Sequence, residues 1–167
     1  MGTKLVIMES PAKSKTVEKY LGNEFVVTSC KGHIRDLTTR GYGGFGVDIE
    51  NNFQPMYKLL QDKLPVIREL KSLVKKADYV YLATDPDREG EAISWHLYEV
   101  LGLSQKPFER IVFNEVTKGA VLKSLENGRE IDINLVHSQE SRRILDRIIG
   151  FSLSKLLQRK IGSKSAG

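Results

Sequence analysis

Solid runs of apolar residues alternate along most of the chain with stretches where apolar positions return every three or four residues. The runs are Leu5-Val6-Ile7-Met8, Phe25 to Cys30, Tyr79 to Thr84 and Arg110 to Phe113. Their length and β-branched or aromatic content predict strands, the first of them buried. Between them, helices are predicted from Ser10 to about Leu21, Leu64 to Ala77, Glu89 to Leu101 and Lys118 to Glu126. Ser10-Pro11 has the form of an N-cap with proline at the first helical position, and Gly22 marks that helix's end. Strand-helix alternation predicts an α/β fold, with a mainly parallel four-stranded sheet flanked by helices. Such sheets bind ligands beyond the carboxyl ends of their strands.

Two segments break the pattern. Residues 31–56 are glycine-rich with little periodicity, and long connections of that kind are often functional. After Asn127-Gly128 the strands stop. A helix is expected from Asn134 to Gly150, with Ile144, Leu145, Ile148 and Ile149 facing inward and arginines outward. A second is expected from Leu153 to Ile161, then a loop over residues 162–167. This reading divides the chain into domains 1–132 and 133–167. The second has too little sequence for its own core, so a truncated partial helical segment is expected.

Charge sharpens the picture. The 26 basic and 21 acidic residues give +5, and residues 138–167 hold seven bases against two acids, which is the whole surplus. A basic segment on a neutral body fits either a polyanion partner or a solvated helix face. Cys30 is the only cysteine, which excludes an internal disulfide and a cysteine-based zinc site. No apolar run approaches a membrane span, and Leu5 to Met8 is too short for a signal peptide's core. A cytoplasmic protein is expected.

The chemistry gathers at predicted strand ends. Asp85-Pro86-Asp87-Arg88-Glu89-Gly90-Glu91 follows an apolar strand and sets Asp85, Asp87 and Glu89 in alternation. Carboxylates this close repel unless a cation neutralises them, and Mg²⁺ favours a few hard oxygen ligands. Acids that merely complement a helix dipole would explain Glu89 and Glu91, but poorly explain Asp85 and Asp87. Glu9-Ser10-Pro11-Ala12-Lys13 ends another strand. Glu9 meets the Asp85 cluster if the two strands are neighbours, and an acid there can protonate a leaving oxygen. Lys13 adds a positive charge one turn into the helix. Gly32-His33-Ile34-Arg35-Asp36-Leu37 places a histidine and an arginine where either phosphate contact or no role is open. Arg143 and Arg147 share a predicted helix face, and Arg142 pairs in spacing with Asp146. That face can track a phosphate backbone or form a surface salt-bridge ladder. Gly41-Tyr42-Gly43-Gly44-Phe45-Gly46 fits a dinucleotide fingerprint, but no strand precedes it and no helical pattern follows, so a flexible loop is expected.

Together these motifs resemble the Toprim (Rossmann-like) fold, and more closely the bacterial type IA DNA topoisomerases. The resemblance is carried, in order, by residues 5–13, 32–37, 84–93, Trp95-His96, 112–117 and 142–147. It implies that Glu9 protonates the leaving 3′ oxygen and approaches the metal, and that Asp85, Asp87 and Glu89 form a Mg²⁺ site for religation. It implies that Lys13 stabilises the charged transition state. His33, Arg143, Arg147 and Arg159 fall where that family contacts single-stranded DNA; Arg142 and Asp146 match a pair that positions the strand. Arg110 and Glu115 lie near this site. The implied parent relaxes negatively supercoiled DNA as a cytoplasmic, nucleoid-associated monomer. None of the six tyrosines has the setting of the family's nucleophile, so this chain alone is expected not to cleave. Another Toprim nuclease or primase, or a non-catalytic nucleic-acid-binding module, are the competing readings.

Overall fold

The computed structural model describes residues 2–39, 44, 46–48, 50 and 54–165, with side chains through residue 158. The chain divides into two compact units: residues 1–36 with 59–136, and residues 37–58 with 137–167. Residues 37–58, placed by sequence inside domain 1–132, thus cluster with the C-terminal helix.

In chain order the elements are β1 (Lys4–Met8), α1 (Pro11–Glu18), β2 (Phe25–Ser29), β3 (Arg35–Leu37), β4 (Val47–Asp48), β5 (Gln54–Pro55) and β6 (Tyr57–Leu59). They continue with α2 (Leu64–Lys76), β7 (Tyr79–Ala83), α3 (Arg88–Val100), β8 (Phe108–Arg110), α4 (Lys118–Glu126) and α5 (Ile133–Ser165). The first unit is built on a four-stranded sheet in the order β2-β1-β7-β8 with all pairings parallel. Successive side chains of a strand face opposite sides, so each central strand feeds two cores. Leu5, Ile7, Val80 and Leu82 pack on one side with Ile67, Leu70 and Val74 of α2 and Ile93 and Leu97 of α3. Val6, Met8, Tyr81 and Ala83 pack on the other with Val17 of α1 and Val121 of α4. That double burial is why the runs are apolar at every position.

Three helices start on side-chain caps, of which Ser10 was expected from the sequence. Ser10 Oγ accepts from Lys13 N at 3.2 Å, Asp87 Oδ1 from Gly90 N at 2.7 Å, and Thr117 Oγ1 from Ala120 N at 3.2 Å. Ser10→Ala removes such a cap and is expected to cost about 1 kcal/mol, read by urea unfolding.

In the second unit, β4 and β5 pair antiparallel, Val47 with Pro55 and Asp48 with Gln54, so the described part of the glycine-rich segment contains paired strands. Gly46 adopts φ +76°, and a Cβ there would lie 2.6 Å from the Thr38 carbonyl oxygen. It is followed by β4, not the helix a dinucleotide fingerprint needs, although β3 does precede the motif where no strand was expected. Residues 41–43 and 45 of that motif lie outside the described residues.

Four expectations are corrected. The last strand runs from Phe108 to Arg110 rather than Arg110 to Phe113. The two expected terminal helices are one, α5, continuous through Gly150 to Ser165; nothing lies within 4 Å of a Cβ at Gly150 that would force a bend. The expected loop is helical as far as Ser165, while Ala166 and Gly167 lie outside the described residues. Leu145, Ile148 and Ile149, expected to face inward, are 54%, 36% and 49% exposed. Periodicity identifies an apolar stripe on a helix, but it does not supply a core to receive it. No described helix is long and apolar enough to cross a membrane.

Candidate metal and phosphate site

β1 and β7 are adjacent and parallel with Met8 opposite Ala83, so the residues after each strand emerge side by side. Glu9 follows Met8, and Thr84-Asp85 follow Ala83. Glu9 Oε1 accepts a hydrogen bond from Asp85 N at 3.2 Å. Lys13, one turn into α1, donates from Nζ to Asp85 Oδ1 at 3.0 Å. Asp87 closes the turn as the cap of α3. Lys13, Asp85, Asp87, Phe113 and Asn114 are among the residues lining a cleft of about 120 Å³.

Burial pushes the Glu9 carboxyl above its ordinary value. The negative charges of Asp85 and Asp87 push in the same direction, while the Asp85 amide and the Lys13 ammonium oppose them. Glu9 is thus an acid that holds its proton more readily than a free carboxyl, or welcomes a cation in its place. Among the described residues, no three carboxylate, histidine or cysteine side chains form a ready-made metal cage. Mg²⁺ needs none. It is held by one or two carboxylates while the remaining positions go to waters and phosphate oxygens. The hard-oxygen donors Glu9, Asp85 and Asp87, at two adjacent strand ends beside a lysine, fit that demand.

Glu89 stands apart from these acids. Its Oε1 lies 2.5 Å from His33 Nε2, an ion pair when the ring is protonated. His33 is thereby joined to the first turn of α3. Behind it, Arg35 donates from Nε to His96 Nδ1 at 2.7 Å and also pairs with Glu99.

The DNA-facing candidates distribute unevenly. Arg142 and Asp146 are exposed on α5, and Arg143 is half-buried. Arg147 is turned within its own unit, donating to the carbonyl oxygens of Thr38 at 2.5 Å and Leu37 at 3.3 Å. The Arg159 side chain lies outside the described residues.

One cluster escaped the sequence reading. Glu91, read there as a first-turn acid, is 1% exposed and meets Arg110, which is fully buried, and Arg129. Nothing in the helical spacing separates Glu91 from Glu89. The only hint was an arginine at the edge of an apolar run, at position 110.

A Rossmann-like parallel sheet with acids at two adjacent strand ends defines a Toprim architecture. Residues 4–116 match the Toprim domain, and the chain belongs to that family. It is also similar to the full-length topoisomerase I from Thermotoga maritima, at 46% identity and a TM-score of 0.81 over 93% of its own length. It spans 26% of that chain.

Proposed function

We propose that this chain is the N-terminal, Mg²⁺-binding part of a type IA DNA topoisomerase that relaxes negatively supercoiled DNA. In this reading residues 1–132 form the catalytic Toprim domain, and residues 133–167 begin a DNA-binding domain. The observation that carries it is the contact between the Glu9 carboxylate and the Asp85 amide at neighbouring strand ends, beside Lys13.

A tyrosine outside this chain attacks the phosphodiester, bonds to phosphorus and retains the 5′ phosphate, while the 3′ oxygen leaves. Glu9, with its raised proton affinity, gives that oxygen its proton. Lys13 offsets the charge that builds on the phosphate. Asp85 and Asp87, with Glu9, would hold Mg²⁺, which when bound supplies the positive charge that aligns the broken ends for religation. Glu89 holds His33 toward the DNA, and Arg142, Arg143, Asp146, Arg147 and Arg159 serve the single strand. The assembled protein works as a monomer on nucleoid DNA in the cytoplasm.

Complementation tests the proposal. The chain is mixed with a tyrosine-bearing remainder of a type IA enzyme and assayed for Mg²⁺-dependent relaxation. Activity is expected, and Asp85→Ala combined with Asp87→Ala should abolish it. Mg²⁺-dependent nicking of single-stranded DNA by the chain alone would instead identify a nuclease. DNA binding with no effect of the two alanines in any reconstituted assay would identify a non-catalytic module.

A further inference from the structure

The acidic stretch after β7 contains a carboxylate that turns into the fold. Glu91 sits inside the first unit, 1% exposed, and both its oxygens are fully engaged. Oε1 accepts from Arg110 Nε at 3.0 Å and from an Arg129 guanidinium nitrogen at 2.9 Å. Oε2 accepts from the other Arg129 nitrogen at 2.9 Å and from Asp132 N at 2.8 Å. Burial alone would raise its proton affinity, but the two guanidiniums and the Asp132 amide outweigh it and hold the carboxyl below its ordinary value.

The partner is equally committed. Arg110 is 0% exposed at the end of β8. Besides Glu91, its guanidinium donates to the carbonyl oxygens of Thr84 at 2.6 Å, Ile111 at 3.1 Å and Leu82 at 3.3 Å, and to Asp85 O at 2.7 Å. A buried arginine thus grips the backbone of the residue whose side chain belongs to the candidate cation site. The same backbone segment presents Asp85 N to Glu9. Arg110 and Arg129 also exchange both backbone hydrogen bonds, Arg110 N to Arg129 O at 2.7 Å and the return at 2.9 Å, which fixes the second arginine over the first.

We propose that Glu91 is a positioning residue. Through Arg110 it locks the peptide of Asp85, and so sets the distance between Asp85 and Glu9 at the strand ends. This deepens the topoisomerase reading and rests on its cation site. Glu91 touches neither metal nor phosphate. It acts by fixing the guanidinium plane, so that Arg110 can hold the Thr84 and Asp85 carbonyls at once. A guanidinium is suited to that task because it presents several donors in one rigid plane, which an ammonium does not.

The experiment uses the 167-residue chain and three variants. Glu91→Gln keeps the shape but sets an N–H against N–H donors. Arg110→Lys keeps the charge and loses the fork. Glu91→Leu with Arg110→Met replaces the buried pair by apolar groups, a change that often restores stability. Two quantities are read: hydrogen exchange of the Asp85 amide without divalent metal, and Mg²⁺ affinity by calorimetry. In each folded variant, including the apolar pair, Asp85 exchange should accelerate and Mg²⁺ affinity should fall by about tenfold, the usual effect of losing an outer partner of a metal site. Native exchange and affinity in a stable apolar-pair variant would overturn the proposal, because a purely structural pair is replaceable. If that variant does not fold, unchanged values in Arg110→Lys or Glu91→Gln would overturn it equally. Wild-type chain with no Mg²⁺ affinity, or with affinity unchanged by Asp85→Asn, would sink the cation reading instead. Unchanged Asp85 exchange would sink the positioning role itself.

Discussion

Gly90→Ala is expected to destabilise the chain and to abolish Mg²⁺ binding, although the substitution adds one methyl group to a helix. Alanine in an exposed helix normally helps, because it removes the entropic cost of glycine. Position 90 reverses that sign. A Cβ there would lie 1.9 Å from the Asp85 carbonyl oxygen, 2.7 Å from its carbon and 2.8 Å from Asp85 N. All three are backbone atoms, so no side-chain rotation relieves the collision. Either the first turn of α3 or the turn carrying Asp85 and Asp87 must move.

Both are tied down. Gly90 N donates to Asp87 Oδ1 at 2.7 Å, Thr84 Oγ1 donates to Gly90 O at 2.5 Å, and Asp85 O receives Arg110 at 2.7 Å. Separating them breaks the helix cap and the arginine grip together. Overpacking of this kind costs about 1–3 kcal/mol, and more where buried hydrogen bonds are lost. The matched control is Gly119→Ala in α4, where nothing lies within 4 Å of the added carbon. That variant should be neutral or stabilised by up to about 1 kcal/mol. Thermal unfolding and Mg²⁺ calorimetry on the two variants check the contrast. A Gly90→Ala protein that melts with the wild type would mean that the approach of Asp85 to α3 is misjudged.

The same glycine shows how far the sequence carries. Strand order β1-β7 was needed to bring Glu9 to Asp85, and the unbroken apolar runs at 5–8 and 79–83 made a doubly covered parallel sheet legible. The acids at the ends of those runs followed directly. What did not follow is direction. Asp87, Glu89 and Glu91 alternate in sequence, yet Asp87 caps α3, Glu89 reaches His33, and Glu91 turns into the fold toward Arg110 and Arg129. Three adjacent turn and helix positions diverge by about 200° between alternate residues, so spacing by twos does not group side chains on a helix as it does on a strand. The partners that distinguish them lie up to 56 residues away in the chain. Likewise, the apolar stripe on α5 predicted a helix correctly, while its inward face did not hold for Leu145, Ile148 or Ile149.

Acid should weaken the wild-type fold well above the ordinary carboxylate range, and His96→Asn should remove that sensitivity. His96 is 2% exposed on α3. Burial pushes its pKa down to about 3, and the positive charge of Arg35 and the neighbouring His33 add to the effect, with Asp36 opposing. Its Nδ1 accepts from Arg35, which Glu99 holds in turn, so the ring is needed neutral with its proton on Nε2. In the unfolded chain the same ring titrates near 6.5. Between 6.5 and about 3, therefore, the unfolded state binds more protons than the folded one, and stability must fall as pH falls.

Well above pH 6.5 this group contributes no slope. From 6.5 down to about 5 it should cost about 2 kcal/mol, since each unit crossed costs up to about 1.4 kcal/mol. Glu9 works in the opposite sense, because its raised proton affinity favours the folded form as its carboxyl takes up a proton. It therefore cannot be the source of an acid loss. Asparagine keeps an acceptor oxygen near the Nδ1 position but has no proton to gain, so His96→Asn should start less stable through lost packing and then stay nearly flat over the same window. Urea unfolding at pH 7, 6 and 5 on both proteins decides it. Parallel pH profiles would show that the native ring accepts a proton beside Arg35, and that the buried link between β3 and α3 tolerates two positive charges.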